Sequence, residues 1–256
     1  MSRPSFSVVT PSLNQGRFVG AAIESVLAQG VPDVEHIVVD GGSTDETHDV
    51  LVRYPQLIVL RDDGRGQSHA INLGLRAASG EVIGWVNADD CYVPRAFEGA
   101  RRALAEHPDA GIVYGNAEYI EETGAVVDEV RAGPFDLERL LNGVNTIPQP
   151  AVFMRAALLE RVGLLDERLH YVMDYELWLR ASRVTRLVWV DETWAQFRQH
   201  SESKTVDRFA SFWPEARSVA RAYGGPFFSE AWRRRTLSRT FPKVALDSLR
   251  TKVLRR

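Results

Sequence analysis

The chain has 256 residues, 45 % of them hydrophobic and 25 % charged, the composition of an ordinary folded protein with a large core. Its 31 Lys/Arg against 34 Asp/Glu give a net charge of −3, and the single cysteine, Cys91, excludes an intramolecular disulfide. No apolar stretch approaches the roughly 20 residues needed to cross a bilayer. Met1-Ser2-Arg3-Pro4 leads straight into a strand-like run, so the expectation is a cytoplasmic protein without a leader.

In chain order, β-branched runs at Phe6–Thr10, His36–Asp40, Leu57–Leu60, Val82–Val86 and Gly111–Tyr114 alternate with helical spacing at Phe18–Gln29, Asp45–Arg53, Gly66–Ala78 and Pro94–His107. This alternation predicts an α/β fold built on a mainly parallel sheet. Ser43 and Glu46 fit a capping box opening the second helix, and Pro94 suits a first helical turn. Beyond Tyr114, residues 117–120 and 125–130 flank Glu122-Thr123-Gly124 as a hairpin. Helical patterns follow at Arg155–Val162 and Asp174–Ser182, strands at Arg186–Val190 and Ala195–Arg198, then C-terminal helices. The expected division is a domain over 1–205, with a nucleotide half at 1–115 and an acceptor half at 116–205, followed by a helical appendage at 206–256.

In a parallel sheet the residues just past each strand converge on one edge, where α/β proteins bind ligands. Here they are Thr10-Pro11-Ser12, Asp40-Gly41-Gly42-Ser43, Asp62-Asp63-Gly64-Arg65-Gly66-Gln67 and Asn87-Ala88-Asp89-Asp90. Asp89 and Asp90 alone are either solvated loop or a place for a hard cation; four polar exits together point to a small polar ligand with a metal. No Walker A pattern is present, and Gly64-Arg65-Gly66-Gln67-Ser68-His69 breaks the dinucleotide pattern at its third glycine.

Thr10-Pro11-Ser12, Asp40-Gly41-Gly42-Ser43-Thr44-Asp45, Asp63-Gly64-Arg65-Gly66-Gln67-Ser68-His69-Ala70-Ile71-Asn72 and Asn87-Ala88-Asp89-Asp90, with Gln149-Pro150-Ala151-Val152-Phe153, Met173-Asp174-Tyr175-Glu176-Leu177-Trp178-Leu179-Arg180 and Phe197-Arg198-Gln199-His200 followed by Ser203-Lys204-Thr205, resemble family 2 glycosyltransferases of the GT-A fold over residues 6 to about 205. The resemblance implies transfer of a sugar from a nucleoside diphosphate sugar, a UDP-sugar foremost, to a saccharide or lipid-linked acceptor in envelope or exopolysaccharide biosynthesis. It implies that Thr10, Pro11, Ser12 and Asp40 hold base and ribose, and that Asp63, Gly64 and Arg65 lie near the nucleotide or diphosphate. Asn87-Ala88-Asp89 stands at the family's D-x-D position, with Asn87 in place of the first Asp. Asp89 would hold Mn²⁺ or Mg²⁺ bridging the two phosphates, with His200 as a further ligand, while Asp90 is free to cap the next helix. Asp174 matches the catalytic base, with Met173 in place of a preceding Glu, and direct displacement would invert the anomeric centre. Gln149, Glu176 and Trp178 fall on the acceptor side, where Glu176 is the rival base and Trp178 reads as a core residue ahead of a sugar platform. His69 stands where the family often has Asp and receives no role.

From Ala231 to Arg256 nine Lys/Arg face one acid, Asp247, interleaved with Trp232, Leu237, Phe241 and other apolar residues. The segment reads either as a solvated basic helix or as a surface for an anionic membrane face or a partner. It lacks the features of a nucleic-acid module. The departures at Gly41, Asn87 and Met173 leave one alternative, a catalytically silent nucleotide-sugar-binding module acting through this tail.

Overall fold

A computed structural model describes residues 5–143, 145–200 and 209–226; the basic segment 231–256 lies outside them. Strands β1 (Phe6–Ser12), β2 (Val34–Asp40), β3 (Ile58–Arg61) and β4 (Val82–Trp85) run parallel in the order β3-β2-β1-β4. The sheet continues through β8 (Val152–Arg155), antiparallel to both β4 and β6 (Ala110–Ile120), then β9 (Arg186–Arg198), parallel to β6. The short β5 (Cys91–Tyr92) closes the far edge on β9, and β7 (Val126–Val130) pairs with β6 off the main path. This is a mixed α/β architecture around one mostly parallel, nine-stranded sheet.

The central strand β1 is buried along its whole length, as expected of a strand covered on both faces. Side chains alternate between the faces. Phe6 and Val8 join Phe97, Phe153 and Trp194, while Val9 joins Ile37, Val39, Ile71 and Leu75. Phe6 stacks on Phe97 at 4.7 Å, and Phe153 meets Phe6, Tyr92, Phe97 and Trp194 with ring centroids within 5.9 Å. These rings fix β8 and β9 against the parallel half. The register sets Ser12 beside Asp40 and Asp40 beside Arg61, so three strand exits line up on one edge.

Helices α1 (Gly16–Leu27), α2 (Thr47–Leu51), α3 (Gln67–Ala77) and α4 (Ala96–Glu106) match the predicted helical segments, with shifted starts. The capping box at Ser43 does not form: α2 begins at Thr47, and Ser43 Oγ accepts from the Asn14 N–H at 2.8 Å. Asp45 does the capping for two helices, taking the Gly16 N–H at 2.9 Å and the Thr47 N–H at 3.0 Å. Pro94 falls outside α4, whose N-cap is Arg95 in the left-handed region at φ +68°. The separate segments 111–114 and 117–120 form the single strand β6, and 186–190 and 195–198 the single strand β9. Register shifts in the β6–β9 pairing break the alternation that sequence periodicity relies on. The expected divide at 115/116 therefore falls inside a strand shared by both halves.

Beyond β7 come α5 (Leu137–Leu141), α6 (Ala156–Val162), α7 (Met173–Ala181) and α8 (Phe209–Ala222). Helix α8 lies in the stretch expected to form an appendage, yet its Ala216, Val219 and Ala220 are buried in the same cluster as Leu177 and Trp178. No described helix is long and apolar enough to cross a membrane.

Candidate active site

Strand β4 ends at Trp85, and the chain turns through Asn87-Ala88-Asp89-Asp90 into β5, which pairs with β9. That pairing returns the distant end of β9 to the turn. His200 Nε2 stands 3.0 Å from Asp89 Oδ2, across 111 positions of sequence. Arg198, buried, locks the junction: its backbone N–H donates to Asp90 Oδ1 at 3.1 Å, and its guanidinium donates to the carbonyls of Asp89, Glu121 and Glu122. Asp90 is thus an internal acceptor rather than a helix cap. Burial, and then the adjacent Asp89 charge, push its carboxyl well above the usual carboxylate range.

A divalent cation fits the Asp89–His200 pair. The two side chains meet at 3.0 Å, an oxygen and a nitrogen donor that a bound cation would share. No group of three or more His, Cys, Asp or Glu able to hold a metal occurs among the described residues. Oxygens from a bound ligand and water would have to complete the coordination.

Asn87, the departure from D-x-D, has both ends of its amide engaged. Its Oδ1 accepts from Gln67 Nε2 at 2.9 Å and from Trp85 Nε1 at 3.1 Å, and its Nδ2 donates to Asp90 Oδ2 at 3.0 Å. A carboxylate here would satisfy the two donors but oppose Asp90. Asn87→Asp is therefore expected to lower unfolding free energy by about 1–3 kcal/mol at pH 7. Because the new carboxyl would have a raised pKa when folded, the loss should shrink on acidification. Denaturant unfolding at pH 7 and pH 5 checks this, and an unchanged midpoint at pH 7 would contradict it. Gln149 belongs to the same network: it is buried, donates to the Trp85 carbonyl at 2.7 Å, and receives Asn87 Nδ2 at 3.4 Å, so its side chain does not line an acceptor face.

On the other strand exits, Ser12 Oγ is buried without a hydrogen-bond partner among the described residues. Asp40, beside it in register, uses Oδ1 to take the Ser43 N–H at 3.1 Å. Pro11 and Ala88 are buried at the same edge. Thr10 differs from its expected role, because its side chain turns inward: it is fully buried and Oγ1 lies 2.9 Å from His36 Nε2. Burial lowers His36 to about 3, so this imidazole is neutral.

In the third exit Asp63, Gly64 and Arg65 are exposed, whereas Asp62 is buried and accepts the Arg65 N–H at 3.2 Å. Gly64 and Gly66, at φ +75° and +104°, make the turn that brings the chain into α3. His69 is buried, with Nε2 at 2.6 Å from Arg65 Nη2 and Nδ1 at 2.9 Å from Glu167 Oε2.

Helix α3 also holds the segment that leads into α7. Ser68 Oγ donates to the Leu169 carbonyl at 2.7 Å, and Asn72 exchanges two hydrogen bonds with the Leu165 backbone. Asp174 follows in the first turn of α7, whose N-cap is Val172 with no side-chain cap. Burial raises the Asp174 carboxyl to about 6, against the pull of the backbone N–H groups of Tyr175 and Asp174 itself. Glu176 is not a second base on this face. It is buried, paired through both oxygens with Arg180 at 3.0 and 2.7 Å, and contacted by the Tyr223 hydroxyl. Trp178 is fully buried in the main core and offers no sugar platform.

Arg198, Gln67 and His69 are structural members of this region with no role assigned from the sequence, and Asp90 is an internal acceptor where a helix cap was expected. Arg198, Gln67 and His69 sit inside the motif blocks, so a signal existed for them; for Asp90 the signal was its place in the acidic pair after β4.

The glycosyl transferase family 2 model matches residues 7–162. The chain is a family 2 glycosyltransferase. This glycosyltransferase is 32 % identical over 186 residues to the PGL/p-HBAD biosynthesis glycosyltransferase of Mycobacterium tuberculosis, covering 70 % of each. It is 29 % identical over 211 residues to an uncharacterized glycosyltransferase of Rickettsia prowazekii, covering 79 % of this chain but 66 % of that one, just short of two thirds of its length. The structure of S. aureus TarS 1-349 in complex with UDP-GlcNAc superposes with TM-score 0.71 at 20 % identity, over 91 % of this chain and 73 % of that one. The mannosyltransferase PcManGT from Pyrobaculum calidifontis, in complex with GDP-Man and Mn²⁺, superposes with TM-score 0.65 at 18 % identity, over 99 % and 81 %. At these identities the two structures establish the GT-A fold.

Proposed function

We propose that this glycosyltransferase is metal-dependent and inverting, and moves a sugar from a nucleoside diphosphate sugar, UDP-linked foremost, to a saccharide or lipid-linked acceptor of envelope or exopolysaccharide assembly. The observation that carries the reading is the Asp89–His200 pair, a carboxylate and an imidazole held 3.0 Å apart at the sheet edge. Support comes also from Ser12 Oγ beside Asp40, buried and without a partner among the described residues, a polar atom whose burial costs free energy unless a ligand satisfies it. The mycobacterial relative acts in PGL/p-HBAD biosynthesis, and the two structural neighbours carry nucleotide sugars, one of them with Mn²⁺.

In this reading Ser12 and Asp40 bind the nucleoside, and the exposed Asp63-Gly64-Arg65 turn lies against the nucleotide. Asp89 and His200 hold the cation, which when bound offsets negative charge on the departing nucleoside diphosphate. Asp174 accepts the proton of the acceptor hydroxyl as that oxygen bonds to the anomeric carbon and the bond to the diphosphate breaks on the opposite side. The basic segment 231–256 would bring the enzyme to an anionic membrane surface on the cytoplasmic side.

A thermal-shift panel of nucleoside diphosphates and nucleotide sugars, each with Mn²⁺, Mg²⁺ or chelator, tests the donor and metal assignment. A ligand present at 100 times its dissociation constant stabilises the fold by about 2.7 kcal/mol. We expect UDP or a UDP-sugar with Mn²⁺ to raise the melting temperature, and the shift to disappear with chelator. A panel with no metal-dependent shift would count against the reading.

A further inference from the structure

Helix α8 lies beyond both the matched residues 7–162 and the motif blocks, yet it reaches the start of α7. Glu215 places its carboxylate against three consecutive backbone N–H groups. Oε1 accepts from His170 at 2.9 Å, and Oε2 accepts from Tyr171 at 2.7 Å and Val172 at 3.1 Å. The first N–H groups of a helix lack intrahelical partners, and the positive end of its dipole favours a negative charge. Only Val172, the N-cap, belongs to α7; His170 and Tyr171 lie in the turn before it, and the Glu215 carboxylate stands at the positive end of that helix. Two positions past Val172 stands Asp174.

The clamp is anchored at both ends. Ala216, Val219 and Ala220 bury α8 in the main core, and the Tyr223 hydroxyl contacts Glu176 one turn further along that helix. The segment before the clamp is tied to α3 through Leu165, Glu167 and Leu169. Between those ties and α7, residues 170–172 have their N–H groups gathered by one carboxylate.

We propose that Glu215 is a positioning residue for sugar transfer: its carboxylate fixes the backbone at 170–172 and thereby the placement of the Asp174 carboxylate at the acceptor side. The proposal rests on the reading of Asp174 as the base. It assigns to α8 a share in catalysis without contact with either substrate.

The test uses the full chain with Glu215→Gln and, as a second variant, Glu215→Asp, beside Asp136→Asn, which weakens an ordinary cap on α5. Amide exchange is followed at residues 170–175, and the Asp174 carboxyl is titrated by ¹³C NMR, its resonance assigned by its loss in Asp174→Asn. Glu215→Gln is expected to speed exchange at 170–172 by about tenfold or more, since bonds to a charged acceptor are lost. It is also expected to move the Asp174 midpoint down from about 6 as water gains access. Glu215→Asp should move both readouts in the same direction, Asp136→Asn should move neither, and UDP affinity with Mn²⁺ should stay at the parental value. Parental exchange and titration in either folded Glu215 variant overturn the proposal. Full turnover in Asp174→Asn would instead remove the base reading, a separate failure that leaves the exchange result standing.

Discussion

Replacing Asp174 by Asn is expected to lower the transfer rate by about 10²–10⁴-fold, the usual contribution of a positioned general base, while UDP binding with Mn²⁺ stays unchanged. An acceptor hydroxyl is a poor nucleophile at neutral pH, and the amide retains the shape of the side chain but cannot take its proton. The carboxyl's environment also sets a pH dependence. Burial raises it to about 6, and the base acts only when ionised, so the rate should rise with pH through a limb centred near 6 and level above it. A free aspartate would place that limb near 4. Steady-state rates from pH 4.5 to 8, with nucleotide affinity measured by calorimetry, check both parts. Retained turnover in the variant, or a rate flat across that range, would remove Asp174 as base.

Asp89→Ala is expected to weaken metal-dependent UDP binding by about 10–100-fold, the scale of removing one charged interaction of 1.5–3 kcal/mol. His200→Ala should lower Mn²⁺-dependent binding in the same direction. Binding measured in chelator should be alike for parent and variants, since without the cation neither side chain has its proposed partner. The bonds of Arg198 to the Asp89 backbone carbonyl and to the Asp90 carboxylate remain in both variants, so both should keep their fold. Calorimetry with UDP and Mn²⁺ reads the effect. Unchanged affinity in folded Asp89→Ala would remove the metal assignment.

Much of the α/β half was legible, because buried parallel strands leave near-continuous apolar runs that stop at polar exits. The runs ending at Thr10, Asp40 and Val86 show this directly. What periodicity could not supply was strand order or continuity. β6 and β9 are long strands with shifted register, and each shift inverts the alternation that marks a face. The Asp89–His200 pair could not come from spacing, since 111 residues separate its members; only the family resemblance joined them.

Position near a strand exit also does not say which way a side chain turns. Thr10 and Gln149 sit at the predicted edge but spend their polar groups inward, on His36 and on the Trp85–Asn87 network. Glu176 carried a readable signal. Arg180 is four residues on, the spacing of an ion pair along one helix face, and that pair consumes the carboxylate. Asn87 looked like a damaged metal motif in one dimension. In three dimensions it is the neutral member between Gln67, Trp85 and the buried Asp90, a role that needs an amide. Met173, the other departure, is buried in the main core. Two of the three features that favoured a silent binding module thus have structural explanations.

In the proposed reaction, direct displacement sets Asp174 on one side of the anomeric carbon and the departing diphosphate on the other. Time-resolved ¹H NMR of the anomeric proton in the product, formed from an α-linked nucleotide sugar, tests this most directly. A β-linked product is expected from the first observable turnover. An α-linked product would contradict direct displacement.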